Sequence, residues 1–174
     1  MNVLEEMKNW KGKPKELVLF LTENVKKNPA LFAQLVETLK TGSIPQRGTS
    51  ADVIETLSKE NPDIVATYIN DMIVFINYKA PRVKWGISEA IGNLSAKYPT
   101  QTEKAVPNLL ANTIDEGTVV RWHAAYALSE IAKNNPHARV SLLPKIDEIL
   151  KAEKNNGVKN VYVKALKTIK KQAN

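Results

Sequence analysis

The residues best suited to chemistry are two tryptophans and the acid and tyrosine that follow them. Trp85 and Trp122 are 37 residues apart, with Glu89 and Tyr126 each four residues after a tryptophan. Four residues are about one helical turn, so each pair would share a helix face. Aromatic faces beside a carboxylate can hold a flat cationic group, and exposed aromatic patches mark binding surfaces. These positions therefore predict a binding surface.

The segment that carries these residues recurs along the chain. VRWHAAYALSEIAKNNP (120–136) follows VKWGISEAIGNLSAKYP (83–99) by 37 residues, and VKNVYVKALKTIKKQ begins at residue 158. An apolar stripe falls within one arc of the helix that begins at residue 118. The stripe consists of Val120, Ala124, Ala127, Leu128 and Ile131. One unit cannot bury such a stripe alone, so the repeat predicts a solenoid of stacked units.

Apolar residues at helical spacing predict an all-α chain. The expected helices are 15–27, 31–41, 49–60, 63–77, 82–97, 102–114, 118–134, 138–153 and 158–172, with 1–13 as an N-terminal cap and 42–48 as a loop. Asn-Pro pairs at 28, 61 and 135 would end one helix and begin the next. The sequence thus predicts a single domain over residues 1–174. It would contain about four helix pairs and an incomplete N-terminal unit, with the clearest repeats in 82–172.

This pattern resembles the HEAT-repeat family of armadillo-like α-solenoids. In that family, the first helix of a unit carries leucines and often a proline. The second helix follows an Asp-containing turn, begins Val-Arg and continues with Ala-Leu. The best copy here has Val106, Pro107, Asn108, Leu109 and Leu110, then Asp115, Val120, Arg121, Ala127 and Leu128. The resemblance covers roughly residues 30–172 and implies a right-handed superhelix in which Asp115 and Arg121 serve the turn and an inter-repeat ladder.

The second helices of HEAT-like solenoids line a concave surface, so the resemblance also implies a groove. The residues that would line it are Trp85, Glu89, Trp122, Tyr126, Lys133, Lys164, Lys167 and Lys171. The wall would run from an acidic end, through the aromatic residues, to a lysine end. Neighbouring helices pack ~8–10 Å apart, so Trp85 and Trp122 could flank a flat or aliphatic group. Alternatively, both rings lie over adjacent helices and complete the core.

The positive charge is concentrated at one end of the chain. The net charge is +7, and residues 151–174 contain seven lysines and one acid. The first interpretation of this lysine row is the solvated face of a terminal cap, and the alternative is a patch for phosphate or an acidic partner. Because the basicity belongs to the last helix, a protein or peptide partner with an acidic segment is favoured over nucleic acid.

The sequence lacks the residues that several classes of chemistry require. The chain has no cysteine, which excludes disulfides, thiolate metal sites and cysteine nucleophiles. No Gly-rich phosphate loop or metal-spaced cluster is present, so no cofactor is expected. His123 and His137 have no partner in sequence, which favours a structural or surface role. No apolar run, 72–76 included, exceeds five residues, which is too short for a bilayer. The first residues lack a signal-peptide pattern, so a cytoplasmic protein without membrane contact is expected.

These observations favour a non-enzymatic interaction scaffold that binds a protein or peptide in the groove. A second hypothesis is a HEAT-like alkylpurine DNA glycosylase or another DNA-binding protein. Trp85-x-x-x-Glu89 resembles the Trp-x-x-x-Asp pairing of those enzymes, and a carboxylate would stabilise a sugar cation. The chain is short for that family, however, and has Glu in place of Asp. A third hypothesis is an accessory subunit of a larger enzyme.

Overall fold

The computed structural model describes residues 1–172 as α-helices joined by short turns, with no β-strand in that range. The helices are α1 (Val3–Asn9), α2 (Pro14–Lys27), α3 (Phe32–Thr41), α4 (Ile44–Glu60), α5 (Pro62–Ala66), α6 (Ile69–Ile73), α7 (Pro81–Leu94), α8 (Pro99–Glu103), α9 (Val106–Ala111), α10 (Thr118–Asn134), α11 (Pro136–Ala152) and α12 (Asn156–Gln172). Short 3-10 segments cover Pro29–Leu31, Val74–Asn77 and Asn112–Ile114. The all-α prediction is confirmed.

The helices stack as repeated pairs. Helices α2, α4, α7, α10 and α12 form one layer in which each packs against the next. The connecting elements pack onto that layer: α3 onto α4, the segment Val74–Asn77 onto α7, and α9 and α11 onto α10. The N-terminal helix α1 packs against α3. This nearest-neighbour stacking is the solenoid-like arrangement that the repeat predicted.

The stripe on α10 is the part of the core that the repeat specified most directly. All five stripe residues are at most 1% exposed. Alanines in the stripe let neighbouring helices approach closely, and Gly92 of α7 adds to that approach. A Cβ at this glycine would lie only 3.0 Å from Cα of Ala127 on α10. Small residues therefore set the distance between α7 and α10.

Helix α4 begins earlier than its apolar pattern indicated. Residues 42–48 were expected to be a loop, but the helix starts at Ile44, with Pro45 in its first turn. Proline is tolerated there because the first backbone N–H groups of a helix have no intrahelical partner. The Gln46 side chain also accepts a hydrogen bond from Ser43 N at 2.8 Å, which closes the helix end.

Two expected helices are broken. The segment 63–77 forms α5, α6 and a 3-10 turn, and 102–114 forms α8, α9 and a 3-10 turn. Ile69 and Met72 of α6 and Phe75 of the 3-10 segment Val74–Asn77 are all buried. Val74, where the winding changes from α to 3-10, is 67% exposed.

A ladder of ion pairs and hydrogen bonds joins successive turns, and it includes Asp115 and Arg121. Arg121 Nε donates to Glu153 Oε2 at 2.8 Å, and its Nη1 donates to the Asp115 carbonyl at 2.8 Å. Lys84 Nζ donates to Asp115 Oδ2 at 2.5 Å. Burial tends to raise the pKa of the Glu153 carboxyl, but Arg121 and the backbone N–H groups of residues 154 and 155 outweigh it and lower that pKa. Arg121 is therefore structural.

Candidate partner-binding surface

The eight residues expected to line a groove share one surface of the helix layer. Trp85 and Glu89 lie on α7, Trp122, Tyr126 and Lys133 on α10, and Lys164, Lys167 and Lys171 on α12. None of them is buried. We call this surface, together with Asp52 and Glu55 of α4 and Glu130 of α10, the second-helix face.

The aromatic centre of the second-helix face is a pair of parallel rings on α10. Trp122 and Tyr126 stack one helical turn apart, with ring centroids separated by 6.0 Å and an interplanar angle of 2°. Tyr126 Oη donates to Asn93 Oδ1 at 2.7 Å. Burial, with the nearby carboxylates of Glu130 and Glu89, raises the pKa of Tyr126 to about 12. Tyr126 is thus fixed and protonated, and it supports an indole that remains 37% exposed.

The two tryptophans do not flank an open slot, which corrects the expectation from sequence. The His123 ring occupies the space between them: its centroid lies 6.2 Å from that of Trp85, nearly parallel, and 5.0 Å from that of Trp122, edge-on. Each helical residue turns 100°, so His123 points from α10 toward α7 while Trp122 stays outward. Trp85 is therefore partly covered, and Trp122 carries the exposed aromatic surface.

His123 also has a charged partner, which sequence reasoning missed. Its Nε2 lies 3.0 Å from Glu89 Oε2, and its Nδ1 lies 2.8 Å from the Val119 carbonyl oxygen. Both oxygens accept hydrogen bonds, so the ring makes both bonds when both nitrogens carry a proton. Glu89 is 34 residues away in the chain. The sequence feature that could have indicated this contact is the repeat. A period of 37 residues aligns residue 123 of α10 with residue 86 of α7, which is close to Glu89.

Glu89 belongs to a network that neutralises the expected acidic end. Lys59 Nζ contacts Glu89 Oε1 at 2.6 Å and also pairs with Glu55. The hydrogen bond from His123 is the main reason that the pKa of Glu89 is lowered to about 2. Burial opposes this shift and Lys59 supports it. The pKa of Glu55 is instead raised, because burial outweighs its pairing with Lys59.

The other acids near this surface are paired too. Asp52 of α4 receives hydrogen bonds from Arg82 of α7, with Nη2 to Oδ2 at 2.5 Å. Glu130 of α10 pairs with Lys133 at 2.5 Å. The α4–α7 end is consequently a set of internal ion pairs rather than an acidic surface for a partner.

A cavity of about 310 Å³ opens between α10 and α12. Its walls are Trp122, Tyr126, Ser129, Glu130 and Lys133 from α10, and Gly157, Asn160, Val161, Lys164, Ala165 and Thr168 from α12. Four of the expected site residues therefore meet here. Trp85 and Glu89 lie beyond His123, and neither Lys167 nor Lys171 lines the cavity. We call this space the α10–α12 cavity.

The lysines of α12 contrast with the paired acids of the second-helix face. Helix α12 contains five lysines and no acid. Within residues 1–172, none of these lysines forms an ion pair. The α10–α12 cavity thus combines an exposed indole, hydroxyl and amide groups, and the unpaired ammonium group of Lys164.

Among residues 1–172, no three His, Cys, Asp or Glu side chains are grouped to hold a metal ion. In the same range, no helix combines the length and apolarity that crossing a bilayer requires.

Comparison with known proteins supports the fold. No family model matches the chain, and no curated protein matches it. The chain is similar to the crystal structure of an engineered protein from the Northeast Structural Genomics Consortium. The two share 18% sequence identity with a TM-score of 0.66, over 80% of this chain and 62% of that one. The chain thus spans less than two thirds of that structure. The likeness places this protein among all-α, solenoid-like folds.

Proposed function

We propose that the chain is a HEAT-like interaction scaffold of the cytoplasm, without catalytic activity of its own. Its second-helix face would bind a protein or peptide partner at the α10–α12 cavity. The observation that supports this most strongly is the exposed Trp122 indole, held parallel to a hydrogen-bonded tyrosine at the edge of that cavity.

Two physical arguments connect that observation with binding. Trp and Tyr dominate the binding energy of protein interfaces because they bury a large area at a low cost in side-chain entropy. Tyr126 is already fixed, so the stacked pair is preorganised, and less entropy is lost when a partner packs on it. The cavity volume is at the small end of the range for small-molecule pockets, about 300–1,000 Å³, and suits one or two side chains of a partner.

The function is tested by selecting binders from an unbiased library of displayed peptides, using the full chain as bait. Selected peptides are expected to bind the wild-type protein and to lose binding to Trp122→Ala, with the helicity of the variant unchanged by circular dichroism. Val140→Ala is the matched control, because Val140 is 77% exposed on α11, outside the cavity. Peptides that bind Trp122→Ala as tightly as wild type would contradict the proposal.

The glycosylase hypothesis receives no support from the site. Trp85 stacks on His123, and the Glu89 carboxylate binds His123 and Lys59, so both side chains already have partners within the protein. Incubation with methylated DNA is expected to release no base.

The accessory-subunit hypothesis uses the same surface as the scaffold, with the larger enzyme as the partner.

A further inference from the structure

We propose that the partner segment is acidic and extended, and that it runs along α12 from the α10–α12 cavity to Lys171. This inference rests on the proposed function and specifies the chemistry of its ligand. The segment would seat one large apolar side chain against Trp122 and place carboxylates at Lys164 and Lys171.

The distribution of charge on the second-helix face favours an acidic partner. The acids on the second-helix face already have cationic partners, namely Arg82 for Asp52, Lys59 for Glu55 and Glu89, and Lys133 for Glu130. The lysines of α12 have no such partner within residues 1–172. A basic segment would have to break existing pairs, whereas an acidic segment adds new ones.

Helix geometry selects two of the five lysines. Lys164 lines the cavity, and Lys171 follows it by seven residues. Seven residues turn the helix by about 700°, so the two side chains lie about 20° apart on the same side. Lys167 lies about 60° from Lys164, whereas Lys159 and Lys170 lie more than about 100° away.

The spacing of the two lysines fits an extended chain. Seven residues of α-helix rise about 10 Å. Three residues of extended or polyproline-II chain cover about 9–10 Å. Carboxylates three residues apart in the partner would therefore face Lys164 and Lys171 in turn. The apolar residue precedes or follows them, since Trp122 and Lys164 share one cavity.

The probes are fluorescein-labelled peptides in which one leucine is followed by glutamates three and six residues later, together with the same peptide in reverse order. Glutamine-substituted and lysine-substituted versions and a single-stranded oligonucleotide are the comparison ligands. Fluorescence anisotropy with the full chain is expected to show one acidic peptide binding about tenfold tighter than its glutamine version, with affinity falling as salt rises.

The variants separate the two sides of α12. Lys164→Glu/Lys171→Glu is expected to abolish the preference for the acidic peptide. Lys159→Glu/Lys170→Glu makes the same change in net charge on the other side of the helix and should retain it. Equal binding of the glutamine peptide, tighter binding of the oligonucleotide, or equal loss in both double variants would overturn the inference.

A failure of the acidic-partner inference can be distinguished from a failure of the proposed scaffold function. If library-selected peptides depend on Trp122 but carry no excess of acidic residues, the scaffold function stands and the acidic partner is wrong. If no selected peptide depends on Trp122, both are wrong.

Discussion

Glu89 of α7 and His123 of α10 meet at 3.0 Å, between the two tryptophans of the second-helix face. The contact ties neighbouring repeats together across the surface proposed to bind a partner. It also explains why the two ends of that surface differ. The α4–α7 end is closed by internal pairs, and the α10–α12 end keeps an exposed indole and lysines that form no ion pair with any residue of 1–172.

Removing the histidine should alter the titration of the acid. In His123→Ala, the pKa of Glu89 is expected to rise from about 2 toward its ordinary value of 4.5, because the bond from His123 is the main cause of the low value. Carboxyl carbon NMR during a pH titration measures this directly. The control is Lys170→Ala, which should leave the Glu89 titration unchanged. An unaltered Glu89 pKa in His123→Ala would show that the contact is absent in solution.

The same acid predicts a dependence of stability on pH. A carboxyl whose folded-state pKa is depressed stabilises the fold fully above its unfolded value, and this contribution is lost as pH falls toward the folded value. For Glu89, the window extends from about 4.5 down to about 2. Glu89→Gln should therefore be less stable than wild type at pH 7, with the difference shrinking toward pH 2. Urea unfolding at several pH values measures it, and a difference that is constant with pH would contradict the network.

The inter-repeat ladder should matter more for stability than the surface pairs do. Arg121→Ala leaves Glu153, whose side chain is 4% exposed, without its cation, and is expected to cost about 3 kcal/mol. Arg82→Ala breaks a pair whose side chains are 38% and 30% exposed, and should cost about 1 kcal/mol or less. Denaturant unfolding of both variants compares them. Equal costs would mean that Arg121 has no special structural role.

The close approach of α7 and α10 gives a further prediction. A Cβ at Gly92 would lie 2.8 Å from Cε1 of Tyr126 and 3.0 Å from Cα of Ala127. Gly92→Ala should therefore destabilise the fold by about 1–3 kcal/mol and disturb the Trp122–Tyr126 stack. At Gly117, a Cβ meets only the Asp115 side chain within 3.4 Å, so Gly117→Ala is the control. Thermal unfolding and tryptophan fluorescence report the two effects, and a Gly92→Ala variant as stable as wild type would contradict the packing.

The features that the sequence predicted best are those that follow from a local pattern or from the repeat. The stripe from Val120 to Ile131 follows from helical periodicity and a fixed 37-residue spacing, and it is buried as expected. The broken segment 63–77 was not predicted, because a dense apolar run hides the change from the α to the 3-10 period. His123 was missed for a different reason. Its partners are one repeat away, so its role depends on how α7 and α10 stack, which no local pattern encodes.

The most direct test of the proposed binding surface is an NMR titration of the isotope-labelled chain with a library-selected peptide. The chain has three tryptophans. The indole N–H signal of Trp122 and the backbone amides of residues 160–168 are expected to shift together. The signal of Trp10, whose indole N–H donates to the Lys13 carbonyl, should stay unchanged. Binding that leaves Trp122 and residues 160–168 unshifted, or that shifts other surfaces instead, would contradict the account.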